Sequence, residues 1–86
     1  MAKEKIGSVG LVEYDALVAT LIQARIEKGL SQRAVAKLLG EDKTFVQRVE
    51  QAERRIDVVE FLLFARAIGV DPKELFVRFM DRVEPK

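Results

Sequence analysis

Along most of the chain, apolar residues recur at the three- and four-residue spacing of an amphipathic helix. From Tyr14 or Asp15 to Lys28, the residues Leu17, Val18, Leu21, Ile22 and Ala24 form one stripe, with Asp15 as the expected N-cap and Gly29 as the stop. Ser31 then caps a second expected helix that runs through Leu39, buries Val35, Ala36 and Leu39, and ends at Gly40. Asp42 caps a third. Asp57 caps a fourth that reaches Ile68 before Gly69, and Asp71-Pro72 opens a fifth with proline at its first position. The stripe of the fifth is Leu75, Phe76, Phe79, Met80 and Val83, and Pro85 ends it. No alternating strand pattern, repeat or low-complexity segment competes, so the expected fold is all-α with five helices. Residues 1–13 hold Gly7, Ser8 and Gly10 without a sustained period and are expected to form an N-terminal arm, leaving 14–86 as one domain.

Two of these helices carry more than a simple core stripe. If residues 43–51 turn through about 100° each, Lys43, Thr44, Gln47, Arg48 and Gln51 share one sector while Phe45, Val46 and Val49 share another. The third helix is thus anchored on one side and lined with long hydrogen-bonding side chains on the other, which suits the reading of a DNA major groove. In the fourth helix, Val58, Phe61, Leu62, Phe64, Ala65 and Ile68 are expected to face inward. Val59 and Leu63 point the other way. Five helices in a short chain leave little interior for Val59, Leu63, Phe79, Met80 and Val83 together, so self-association through helices four and five is the preferred explanation over burial within one monomer.

Composition narrows the chemistry. Eighty-six residues make one domain with a modest core, and 49% hydrophobic with 34% charged residues describe a folded globular chain. There is no cysteine and no histidine, which removes disulfide frameworks, zinc fingers and any acid-base or nucleophilic scheme built on those side chains. No metal or cofactor is expected, nor is a small-molecule ligand. The carboxylates, lysines and tyrosine are not spaced as a catalytic set, so an enzyme is not expected. The apolar run after Lys3 and Lys5 is broken by Gly10 and Glu13, too early for a signal-peptide core, and no stretch reaches the roughly 20 apolar residues of a membrane span. A cytoplasmic location is the simplest expectation.

The formal net charge is only +1. Residues 31–56 nevertheless hold six Lys or Arg against four Asp or Glu, while residues 57–86 hold five against six. The small positive excess coincides with the second and third helices, so DNA affinity is expected to rest on focused contacts rather than a broad basic surface. Lys3 and Lys5 in the arm are within reach of phosphates on one reading and part of a plain tail on the other.

The run Ser31-Gln32, Val35-Ala36, Leu39-Gly40, Phe45-Val46, Arg48-Val49-Glu50, Glu53-Arg54 resembles the Cro/cI-type (XRE-type) helix-turn-helix family of phage and bacterial transcriptional repressors. Arg25 and Gly29-Leu30 upstream, with Ile68-Gly69-Val70 and Glu74-Leu75-Phe76 downstream, extend the resemblance over about residues 15–78. It implies a compact five-helix domain bound as a dimer to a two-fold-related operator of double-stranded DNA, with helix three in the major groove. By the same resemblance, Lys43, Thr44 and Arg48 match positions that meet base edges, and Gln47 lies between them. Gln32, Arg54 and Arg55 match phosphate contacts, and Arg25 with Glu50 matches an ion pair between helices one and three. Arg54 and Arg55 also read as a charge complement to the C-terminus of helix three, and the residues alone leave both readings open. Two residues depart from the pattern: Glu41 stands where the turn usually has an apolar residue, and Ala52 where glycine usually follows helix three. Ala52 is expected to avoid a left-handed cap and so to shift Arg54 and Arg55.

Two function classes follow. One is a sequence-specific DNA-binding transcriptional regulator acting as a homodimer. The other is a protein-interaction module that keeps the fold without strong DNA binding, favoured by the small net charge and by Glu41.

Overall fold

The computed structural model describes residues 11–85, and among them five helices and no strand occur: α1 (Val12–Glu27), α2 (Gln32–Leu39), α3 (Lys43–Glu50), α4 (Val58–Ile68) and α5 (Pro72–Val83). The expected arm falls mostly outside the described residues. Its last part does not behave as an arm, because α1 starts at Val12 with Leu11 in the cap position. Asp15 is therefore not the N-cap. It sits with Glu13 in the first turn, where negative charge favours the helix dipole.

The other starts follow the local chemistry of their caps. Ser31 Oγ accepts from the Ala34 amide at 3.0 Å, and Asp42 Oδ1 accepts from the Phe45 amide at 3.1 Å. Asp57 and Glu60 form a reciprocal capping box, with the Glu60 amide donating to Asp57 Oδ1 at 2.7 Å and the Asp57 amide donating to Glu60 Oε1 at 2.9 Å. Asp71 makes no side-chain cap bond, and α5 relies on Pro72 at its first position.

The core is one cluster drawn from every helix. Leu21 and Ala24 of α1, Val35 and Ala36 of α2, Val46 and Val49 of α3, Phe64, Ala65 and Ile68 of α4, and Leu75 of α5 pack together, with Ile56 of the α3–α4 connection completing the cluster. The most extensive packing joins α2 to α3 and α1 to α5. Arg78 Nη2 donates to Glu27 Oε1 at 3.0 Å, and Arg82 donates to Gln23, so polar ties reinforce the α1–α5 seam. Thr20, absent from the apolar stripe, is fully buried, and its hydroxyl is satisfied by donating to the Ala16 carbonyl at 2.8 Å.

Two apolar positions differ from the helical-wheel expectation. Val58 is 83% exposed, although it lies on the inward sector of α4. As the first residue of the helix, it sits at the rim of an open cleft lined by Leu17, Ile56, Phe61 and Phe79 instead of inside the closed core. Phe76 is about half exposed rather than seated in the core, its ring lying 5.5 Å from Phe79 and edge-on to Phe61 at 6.1 Å.

Candidate nucleic-acid interface

The candidate surface begins at the turn between α2 and α3. Gly40 closes α2 in the left-handed conformation at φ +75°, which lets the Glu41 amide donate back to the Ala36 carbonyl at 2.9 Å. A left-handed residue costs little only at glycine, so this position sets the angle at which α3 leaves the turn. Glu41 is exposed and does not disrupt that geometry.

From that start, α3 presents two unlike faces. Val46 and Val49 are fully buried. Lys43, Thr44, Arg48 and Gln51 are exposed and Gln47 is half-buried on the opposite side, so all five keep donors or acceptors at the surface. A helix held by a buried apolar edge cannot roll without exposing it, and its outer side chains are thereby fixed in direction.

An ionic network braces α3 against α1. Arg25 Nε lies 2.6 Å from Glu50 Oε2 and Arg25 Nη2 lies 2.9 Å from Glu50 Oε1, a paired contact between side chains only 14% and 7% exposed. Arg25 Nη1 also donates to the Leu30 carbonyl at 2.9 Å, and Gln32 Nε2 donates to Glu50 Oε1 at 2.8 Å. Gln32, matched by resemblance to a phosphate contact, is thus tied to the C-terminal end of α3. It remains half-buried, at the start of α2.

Beyond α3 the chain turns through Ala52, which takes φ +61° despite carrying a side chain. This corrects the expectation that Ala52 avoids a left-handed cap: the Glu53 amide donates to the Arg48 carbonyl at 2.8 Å, and the closure outweighs the local steric cost. The helix still ends at Glu50, one residue before the expected limit.

The turn places Arg54 and Arg55 differently. Arg55 is exposed. Arg54 lays its guanidinium 4.7 Å from the centre of the Phe45 ring, and its Nη1 and Nη2 reach Glu60 Oε1 and Oε2 at 3.1 and 3.0 Å. Phe45 in turn stacks on Phe64 at 6.1 Å, so the Arg54 head rests on the core through an aromatic platform. Arg54, bonded first of all to Glu60, is more basic than an ordinary arginine. Glu60 is correspondingly more acidic than an ordinary carboxyl, chiefly through Arg54 and then through the Asp57 amide.

Sequence patterns missed two contributors. Tyr14 donates its hydroxyl to the Arg54 carbonyl at 3.1 Å and so pins the post-α3 turn to α1; burial raises its pKa above the usual tyrosine value. Glu60 was legible as a capping-box residue, but its contact with Arg54 joins residues that only the α3–α4 turn brings together. Of the positions expected at a dimer interface, Val59 and Leu63 are 61% and 44% exposed, while Phe79, Met80 and Val83 are half-buried.

A short helix, a glycine turn and a second helix with a polar outer face define a helix-turn-helix protein. The chain belongs to the XRE-type helix-turn-helix family: the Helix-turn-helix family model matches residues 21–75. It is similar to an XRE-family like protein from Pseudomonas syringae pv. tomato, with 41% identity over 85% of this chain and 88% of that one, at a TM-score of 0.78. It is also similar to the restriction-modification controller protein C.AhdI from Aeromonas hydrophila, with 35% identity over 77% of this chain and 100% of that one, at a TM-score of 0.69. The controller protein C.Esp1396I, whose structure is a tetramer in complex with its natural 35 base-pair operator, shares the fold at a TM-score of 0.79 with 18% identity, over 85% of this chain and 96% of that one. No curated protein matches the chain. Among the described residues, no helix is long and apolar enough to cross a membrane, and no group of acidic side chains is placed to hold a metal ion.

Proposed function

We propose that this protein is a sequence-specific DNA-binding transcriptional regulator that occupies an operator as a homodimer. The observation that carries the reading is α3 itself: Val46 and Val49 lock one side into the core while Lys43, Thr44, Gln47 and Arg48 stand on the other. Those four side chains meet base edges in the major groove, where paired donors and acceptors distinguish the base pairs. Gln32, Arg54 and Arg55, at the start of α2 and beyond the end of α3, hold the flanking phosphates and set the register of the helix. The controller protein bound to its operator supports DNA as the partner of this fold.

Dimerisation completes the reading. Val59, Leu63, Phe79, Met80 and Val83 on α4 and α5 form the contact, supported by the exposure of Val59 and Leu63. Two copies related by a two-fold axis then place their α3 helices in successive major grooves about 34 Å apart. Selection of bound fragments from random or genomic DNA at moderate salt tests the proposal. An inverted repeat is expected. Recovery of nothing above background overturns it in favour of a protein-interaction module, the reading favoured by the net charge of +1 and the exposed Glu41 beside the turn.

A further inference from the structure

The Arg54–Glu60 contact has the geometry of a phosphate clamp already filled by the protein. A guanidinium presents parallel N–H groups that match the two oxygens of a carboxylate or of a phosphate equally well. In this structure both Glu60 oxygens take that position, at 3.1 and 3.0 Å, while the Phe45 ring supports the guanidinium from 4.7 Å. The pair is accessible, with 41% of the Arg54 side chain and 27% of the Glu60 side chain exposed. Glu60 is also fixed independently of Arg54, because its Oε1 accepts from the Asp57 amide in the capping box.

We propose that Glu60 sets the DNA affinity of this protein by holding Arg54 in the grip that a backbone phosphate takes in the complex, an inference that rests on the DNA-binding reading above. The carboxylate acts as an internal competitor. It withholds one cation from DNA in general, and Arg54 is released to a phosphate only when the rest of the surface is seated. Glu60 touches no DNA on this account; it is a positioning residue that acts through Arg54.

Glu60→Gln separates this role from a purely structural one. Glutamine at the same position keeps an oxygen for the Asp57 amide, so the capping box survives while the negative charge is removed. Binding to a short random-sequence duplex is measured by titration at several salt concentrations for the full chain and for Glu60→Gln, Arg54→Ala and the double variant, alongside thermal melting. The expected result is that Glu60→Gln binds up to about fivefold tighter at low salt, the upper end of what an exposed ion pair contributes. Its log-log salt slope should steepen by up to about one unit, and Arg54→Ala should abolish that gain in the double variant. If Glu60→Gln melts like the parent yet binds with unchanged affinity and slope, or if its gain persists without Arg54, the clamp is overturned while the DNA-binding reading stands. If the parent itself fails to bind the duplex at low salt, both fall.

Discussion

At the scale of single residues, the arginines of this chain sit in unlike settings. Arg25 is shielded and paired with Glu50, so removing it leaves a carboxylate buried with Gln32 as its remaining direct partner among the described residues. Arg25→Ala should lower stability by roughly 3 kcal/mol or more, whereas joint replacement of Arg25 and Glu50 by a matched apolar pair should cost less. Denaturant unfolding of the three proteins checks this, and a parent-like midpoint for Arg25→Ala counts against the pair as a structural tie. Arg48 is exposed on the outer face of α3, and the proposed function has it present two donors to a guanine edge. Arg48→Ala is expected to lose roughly 1 to 3 kcal/mol on the preferred operator and to relax selection at one base position. Arg55→Ala should instead weaken all sequences alike and flatten the log-log salt dependence by about one unit. Competition titrations against random DNA separate the two. Ala52 supplies the opposite kind of test, since its φ of +61° suits glycine better. Ala52→Gly should raise stability by up to about 1 kcal/mol, the relief of the left-handed strain less the greater freedom of glycine in the unfolded chain. A lower melting temperature for Ala52→Gly would show that the turn carries no such strain.

At the scale of elements, caps and connections decide where α3 points and how α4 begins. The start of α4 is held by Asp57 and Glu60, and Arg54 reaches into the same box from the preceding turn. Glu60 is faced by Arg54, Asp57 and Tyr14, with Glu41 across the shallow cleft beside Phe45. Because Arg54 foremost lowers the Glu60 pKa in the folded chain, the folded state releases this proton more readily than the unfolded one. The resulting stabilisation is complete above the ordinary glutamate pKa of about 4.3 and disappears as pH falls through the lower folded value. Melting temperature measured against pH should therefore drop less steeply below about pH 4 for Glu60→Gln than for the parent. Identical acid limbs would show that the pair contributes nothing to this element's pH response.

At the scale of the whole molecule, the exposed apolar side chains on α4 are the feature on which the proposed dimer rests. Val58, Val59 and Leu63 are all more than a third exposed, and on α5 Phe76 and Val77 are too. A charge placed among them should disfavour association without entering the core. Leu63→Glu is expected to leave a folded, helical monomer whose operator affinity falls because the second half-site is no longer held by the same assembly. Sedimentation and circular dichroism check the two halves of that statement. An unmutated chain that sediments as a monomer at tens of micromolar, a range in which modest interfaces are already occupied, would remove the dimer from the proposed function.

Local chemistry by itself determined the five helices, because caps such as Ser31, Asp42 and Asp57, stops such as Gly40 and Gly69, and the three-to-four spacing of apolar residues all act within a few positions along the chain. It also determined the division of α3 into Val46 and Val49 on one side and Lys43, Thr44, Gln47 and Arg48 on the other, since helical angle follows from residue number alone. Where helix ends or neighbours intervene, sequence spacing was insufficient. Val58 has an inward angle yet stays at the rim of an open apolar cleft, and α1 begins three residues before Asp15 without a side-chain cap. The contacts Tyr14 to Arg54 and Arg54 to Glu60 depend on the path of the α3–α4 turn, which Ala52 completes in a conformation its residue type disfavours. Only the tertiary structure decided that, because the bond that fastens the turn to α1 comes from Tyr14, 40 positions before Arg54, whereas the residue type at Ala52 acts only locally.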